Sequence, residues 1–126
     1  MHKILFRGKP KNELIDWVYG YYFYSELTCK HCIMGESKDY GYNCIEVIPE
    51  TVGQYTGLKD KNGTKIFEGD ITKHRSNYSG NDVVAVITYT DGCFLAMADK
   101  DSGFNISDKL EVIGNIHDNP ELLNGE

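Results

Sequence analysis

Residues 53–70 run Gly-Gln-Tyr-Thr-Gly-Leu-Lys-Asp-Lys-Asn-Gly-Thr-Lys-Ile-Phe-Glu-Gly-Asp and read as strand, tight turn, strand. Asn62-Gly63 suits a hairpin turn with positive φ at both central residues, the kind whose twist matches the flanking strands. A chain with such a hairpin at its middle is committed to antiparallel sheet around it. The downstream sequence agrees. Residues 83–90, Val-Val-Ala-Val-Ile-Thr-Tyr-Thr, are β-branched almost throughout and predict a central strand buried on both faces. Asp91-Gly92 turns this strand into a second one at 93–98, and Asp101-Ser-Gly103 turns the chain again. Residues 110–116 make a last strand, in which Gly114 permits close approach of another backbone.

Upstream, residues 4–7 predict a short strand and 14–27 a long one, bent or bulged at Gly20. Ile15, Trp17, Tyr19, Tyr21 and Phe23 share one face of the long strand at a period of two. Asp16, Val18, Gly20, Tyr22 and Tyr24 share the other. The aromatic ladder is expected to be core or subunit interface. Residues 30–34 and 44–48 predict a hairpin across a polar loop at 35–43, with Pro49 ending it, and 77–82 a second loop. Asn119-Pro120-Glu121 carries cap, first-turn and dipole signals for a short helix over 119–123. Short strands joined by hairpin signals define an all-β, mainly β fold class: a small barrel or roll with extra hairpins and a short C-terminal helix.

At 126 residues the chain is expected to be one domain, 1–126, with 1–48 forming a less regular β extension. The net charge of −6 argues against nucleic acid and anionic membranes as partners. Lys59, Lys61 and Lys65 are interleaved with Asp60 and Glu68, as on a solvated hairpin surface. No apolar run approaches the roughly 20 residues of a membrane span, and the first residues lack the pattern of a signal peptide. The expected location is cytoplasmic, with the four Cys reduced.

Residues 50–72, together with Glu111-Val-Ile-Gly-Asn-Ile-His-Asp-Asn-Pro-Glu-Leu-Leu123, resemble the YopX-like family of phage and prophage proteins. Phe6-Arg7-Gly8 and Trp17-Val-Tyr-Gly20 match it more loosely. The resemblance implies a small SH3-like barrel and a phage or prophage origin, makes assembly into a homo-oligomer plausible, and brings no activity with it.

The residues supply little chemistry of their own. Cys29-Lys-His-Cys32 has the spacing of one zinc knuckle, and Cys44 on the facing strand could add a third sulfur. A strong zinc signal has two knuckles, so the expectation is that Cys29, Cys32 and Cys44 bind no metal and serve as small strand residues. Cys93, beside Phe94, reads as a core Cys. Asp70 and Asp118 follow turn chemistry more simply than acid–base pairing. With no nucleophile and base at a telling spacing, no phosphate loop and no complete metal set, neither catalysis nor a cofactor is expected. Three functions stay open: a non-catalytic protein-interaction module that binds a host or phage protein, a nucleic-acid-binding small β-barrel, and a small Cys-based zinc protein. For the first, the loop aromatics Tyr40, Tyr42 and Tyr78 are the candidate contacts.

Overall fold

The computed structural model describes residues 5–37 and 41–123. The chain divides into two compact units, Met1–Tyr55 and Thr56–Glu126. Both are antiparallel β, and neither sheet closes into a barrel.

The first unit holds β1 (Phe6–Gly8), β2 (Val18–Ser25), β3 (Lys30–Ser37) and β4 (Gly41–Glu46), in the order β4-β3-β2-β1. The start of β5 (Gly53–Lys59) lies on the free side of β1, with Phe6 across from Gln54. The region expected to be a less regular extension carries a long unbroken ladder, from Tyr19 opposite Glu36 to Ser25 opposite Lys30. Past the ends of β1 and β4 the chain rolls back on itself. Lys11 N–H donates to the Glu46 carbonyl at 3.2 Å and Ile48 N–H to the Lys9 carbonyl at 2.9 Å. One isolated bridge, Pro10 to Val47, joins these edges.

Inside this roll pack Val18, Ile33, Ile45 and Val47, with Phe6, Tyr22 and Val52 against them. Each fully buried aliphatic contributes roughly 1.5–3 kcal/mol. The long strand expected from residue 14 begins only at Val18. Asn12 is the reason: its side-chain oxygen accepts Leu14 N–H at 3.0 Å and its carbonyl accepts Ile15 N–H at 3.0 Å, which makes a turn there. The loop expected at 35–43 is largely strand, because β3 runs on to Ser37 and β4 starts at Gly41. Gly20 faces Gly35 across the ladder. The two strands approach there too closely for a side chain, so Gly20 is a contact point rather than a bulge.

The second unit holds the rest of β5, β6 (Lys65–Phe67) beside it, and a five-stranded sheet. That sheet is β7 (Asp70–Arg75), β8 (Asp82–Thr90), β9 (Cys93–Met97), β10 (Gly103–Asn105) and β11 (Glu111–Asn115), ordered β10-β9-β8-β7-β11. Thr56 Oγ1 donates to the Ile66 carbonyl at 2.8 Å and fixes β5 to β6. Ile66, Ala85, Ile87, Ala96 and Leu110 form the core, with Phe104, Ile106 and Val112 around it. β8 is central, as its β-branched run predicts, but it is buried on one face only, through Ala85 and Ile87. Tyr89 on the same strand is half-exposed.

The 60–64 turn departs from the chemistry expected of it. Only Gly63 has positive φ in the 60–64 turn, at +84°. Gly63 N–H donates to the Asp60 carbonyl at 3.0 Å and Asp60 N–H to the Thr64 carbonyl at 2.8 Å. This is a type I turn closed by a left-handed glycine, with Asp60 as its organiser. The turn with positive φ at both central residues is Asp91-Gly92, at +51° and +84°. The expected C-terminal helix is a single 3₁₀ turn, Pro120–Leu123. Asn119 does not act as the expected side-chain cap, because its Oδ1 accepts Asn115 N–H at 3.2 Å.

Candidate functional site

The residues that carry the family resemblance are spent on backbone. Asp60 Oδ1 accepts Asn62 N–H at 2.8 Å and Thr64 N–H at 2.9 Å, while Oδ2 accepts Val112 N–H at 2.9 Å. Lys61 N–H adds a bond to the Leu110 carbonyl at 2.9 Å. The 60–64 turn is thereby fastened to β11, joining the two motif segments within one unit. Burial works against the Asp60 carboxylate, but the Val112, Thr64 and Asn62 N–H groups outweigh it and hold the carboxyl below its usual value.

The end of β11 is organised in the same way. Asn115 Oδ1 accepts the His117 and Asp118 N–H groups at 3.0 and 2.9 Å. A Cβ on Gly114 would sit 2.6 Å from Asn119 Oδ1, so what approaches this glycine closely is a side chain and not the backbone expected there. Asp70, almost fully buried, accepts Phe67 N–H at 2.8 Å. Asp118 accepts from Asn115 Nδ2 at 3.3 Å. Both acids act in local turns, as their spacing suggests.

The N-terminal unit presents a different surface. The register places Arg7, Tyr19, Tyr21, Phe23, Cys32, Met34, Cys44 and Glu46 on the outer face of its sheet. The aromatic ladder is therefore not core. Tyr19 is 43% and Tyr21 64% exposed, while Val18, Gly20 and Tyr22 face inward. Trp17 covers Arg7, whose guanidinium lies 4.8 Å from the indole ring centre. Such a contact adds about 0.5–2 kcal/mol, more as water is excluded. On the inner face Tyr22 Oη hydrogen-bonds His31 Nδ1 at 2.5 Å, and the two rings stack with centroids 5.9 Å apart.

Lys11 and Lys30 flank Glu46, at 3.0 and 3.7 Å. The Lys11 hydrogen bond is the main reason its carboxyl lies below the usual range. A shallow cleft of about 460 Å³ opens beside β4, lined by residues that include Pro10, Ile15, Asn43, Cys44 and Glu46.

The three candidate sulfurs separate. Cys29 sits in the β2–β3 turn with φ +58°, exposed, its thiol donating weakly to the Glu26 carbonyl at 3.8 Å. Cys32 and Cys44 face the same side of β3 and β4. Among the described residues, no three of His, Cys, Asp and Glu gather as a metal-binding group. Cys93, expected in the core, is exposed, with its thiol directed to the Thr90 carbonyl at 3.4 Å. It flanks the tight Asp91-Gly92 turn, where the strand register leaves it outside. Of the candidate loop aromatics, Tyr78 stands fully exposed on a loop tied by Ser76, whose hydroxyl accepts Tyr78 N–H at 3.2 Å. Tyr40 and the Tyr42 side chain lie outside the described residues.

The fold and surface define a mainly β protein of two antiparallel sheets, whose most regular polar chemistry is structural. The model of the YopX protein family matches residues 5–124, and the chain belongs to that family. Among solved structures it is similar to protein EF1440 from Enterococcus faecalis, at 26% identity and a TM-score of 0.62. That likeness covers 98% of this chain and 99% of the other. No protein of curated function matches it. Among the described residues, no helix is long and apolar enough to cross a membrane.

Proposed function

We propose that this chain is an accessory protein of a phage or prophage that works in the bacterial cytoplasm by binding another protein, without catalysis, on small SH3-like β scaffolds. The observation that carries this reading is the contrast between two sets of polar and aromatic residues. The acids and amides of the family motifs are consumed by turns and strand ends. Tyr19, Tyr21 and Tyr78 are meanwhile displayed to solvent on strands and on a tied loop. Rigidly held tyrosines bring large contact area at low entropic cost, which is why they are common at binding surfaces.

The Tyr78 loop is the candidate contact for the partner, together with the 35–43 hairpin that carries Tyr40 and Tyr42. The partner is a host or phage protein. The Tyr19–Tyr21 face serves self-association into a homo-oligomer, since surplus apolar surface on one sheet face is how such contacts are made. Affinity capture from infected or lysogenic cells is expected to return one stoichiometric protein. The Tyr40→Ala, Tyr42→Ala, Tyr78→Ala variant should lose at least tenfold in affinity for it while keeping its denaturation midpoint. Unchanged binding would remove these loops from the site. Turnover of a nucleotide, nucleic acid or peptide by pure protein would overturn the non-enzymatic reading. Light scattering at the mass of one chain across a wide concentration range would end the self-association part.

A further inference from the structure

The pairing of β3 with β4 gathers sulfur. Met34 lies directly across from Cys44, and Cys32 lies two residues from Met34 on the same strand and face, diagonal to Cys44. Side chains directly opposite in a ladder start about 4.5–5.5 Å apart, and diagonal ones about 7–8 Å. The two thiols face each other across that diagonal, on one side of the sheet. Cys32 is buried, Met34 half-buried and Cys44 exposed, so the sulfurs step from the sheet floor to the surface. Cys44 also lines the open cleft beside β4, which gives a small ion a way in.

We propose that Cys32, Cys44 and Met34 form a binding site for one soft monovalent metal ion, Cu(I). Two thiolates and a thioether are the donor set that selects Cu(I), which is satisfied by two or three sulfurs. Zinc asks for four ligands at a structural site, and among the described residues no three of His, Cys, Asp and Glu gather. Glu46, opposite Cys32, is held by Lys11 and Lys30. The spacing Cys29-x-x-Cys32 suggested a different set, because it could not show which cysteines share a face. Met34 fits as the third donor because its unbranched chain can bend toward either thiol.

Binding involves no redox change. Two S–H bonds are lost, two S–Cu bonds form, and two protons go to solvent, leaving a bis-thiolate complex of charge −1. The thiolate and not the thiol binds the metal, so binding releases protons and affinity must climb with pH.

The test is anaerobic competition of the full-length protein for Cu(I) against the chromophoric chelator bicinchoninate. One equivalent is expected to move to the protein. Its affinity should rise by up to about 100-fold per pH unit while two thiol protons are displaced. Cys44→Ser, at an exposed position, should lower affinity at least 100-fold with an unchanged far-UV circular dichroism spectrum, and Cys32→Ser should do the same where it folds. Met34→Leu should cost about tenfold, and Cys29→Ser with Cys93→Ser nothing. Failure of the wild type to compete would overturn the proposal. So would a Cys44→Ser protein that competes equally, a pH-independent affinity, or stoichiometry that falls with Cys29 or Cys93.

Discussion

Replacing Asp60 with Ala is expected to destabilise the C-terminal unit by about 3 kcal/mol or more at pH 7. One nearly buried carboxylate serves three backbone donors, at Asn62, Thr64 and Val112. Truncation leaves all three without their acceptor, and a hydrogen bond to a charged group contributes roughly 1.5–3 kcal/mol. It also frees the 60–64 turn from β11. Asp60→Asn separates geometry from charge, since it keeps the acceptor for the turn but offers an amide where Val112 N–H needs an oxygen. The expected loss is intermediate, about 2 kcal/mol.

The pH dependence follows from the depressed carboxyl. A group whose folded value lies below its unfolded value, near 3.9 for Asp, stabilises fully above the unfolded value. That stabilisation is lost as pH falls through the folded value. The wild type should therefore lose stability below about pH 4, and its advantage over Asp60→Asn should shrink. Urea midpoints at pH 7 and pH 3 test this. An Asp60→Ala midpoint equal to wild type at pH 7 would refute the fastening role. Equal acid losses in wild type and Asp60→Asn would refute the electrostatic part.

How much of this was legible in the sequence depends on the kind of signal. Period-two patterning and turn dipeptides are local, and they located β6 to β9 and the hairpin between β3 and β4 with small errors at the ends. The errors have long-range causes. Asn62-Gly63 looked like a two-residue turn because Asp60 was read as a surface acid, and its third bond, to Val112, spans 52 residues. Asn119 looked like a helix cap because its reach back to Asn115 depends on the empty space at Gly114. The aromatic ladder of β2 was assigned its alternation correctly, but alternation does not say which face is inside. The roll that joins Pro10 to Val47 decides that, by enclosing Val18, Ile33, Ile45 and Val47. Spacing along the chain grouped Cys29 with Cys32 and placed Cys44 on the facing strand; the register puts Cys32 and Cys44 on one face, across from Glu46 and Met34, while Cys29 lies in the β2–β3 turn. The exposure of Tyr78 was legible because it sits on a Ser, Asn and Gly-rich loop, which is a local property.

The second large effect is expected at the Gly20–Gly35 contact, where adding a single methyl group should cost about 3 kcal/mol or more. The two residues face each other in the β2–β3 ladder, and their strands press together there. A Cβ on Gly20 would fall 2.1 Å from the Met34 carbonyl oxygen, and one on Gly35 would fall 1.9 Å from the Tyr19 carbonyl oxygen. Both obstacles are backbone, so no rotamer change relieves them; the strands must separate or twist. Overpacking a core of flexible side chains costs roughly 1–3 kcal/mol, and a rigid backbone obstacle sits at or above the top of that range. Separation would also shift Val18, Ile33 and Tyr22, the inward residues on either side. Gly41→Ala is the control, because a Cβ there meets nothing within 4 Å. Its left-handed backbone, φ +66°, costs only about 1 kcal/mol for a non-glycine residue. Denaturant midpoints for Gly20→Ala, Gly35→Ala and Gly41→Ala should therefore fall in two groups, the first two far below the third. If all three lie together, the strands have room for a side chain at Gly20 and Gly35, and the close backbone contact is refuted.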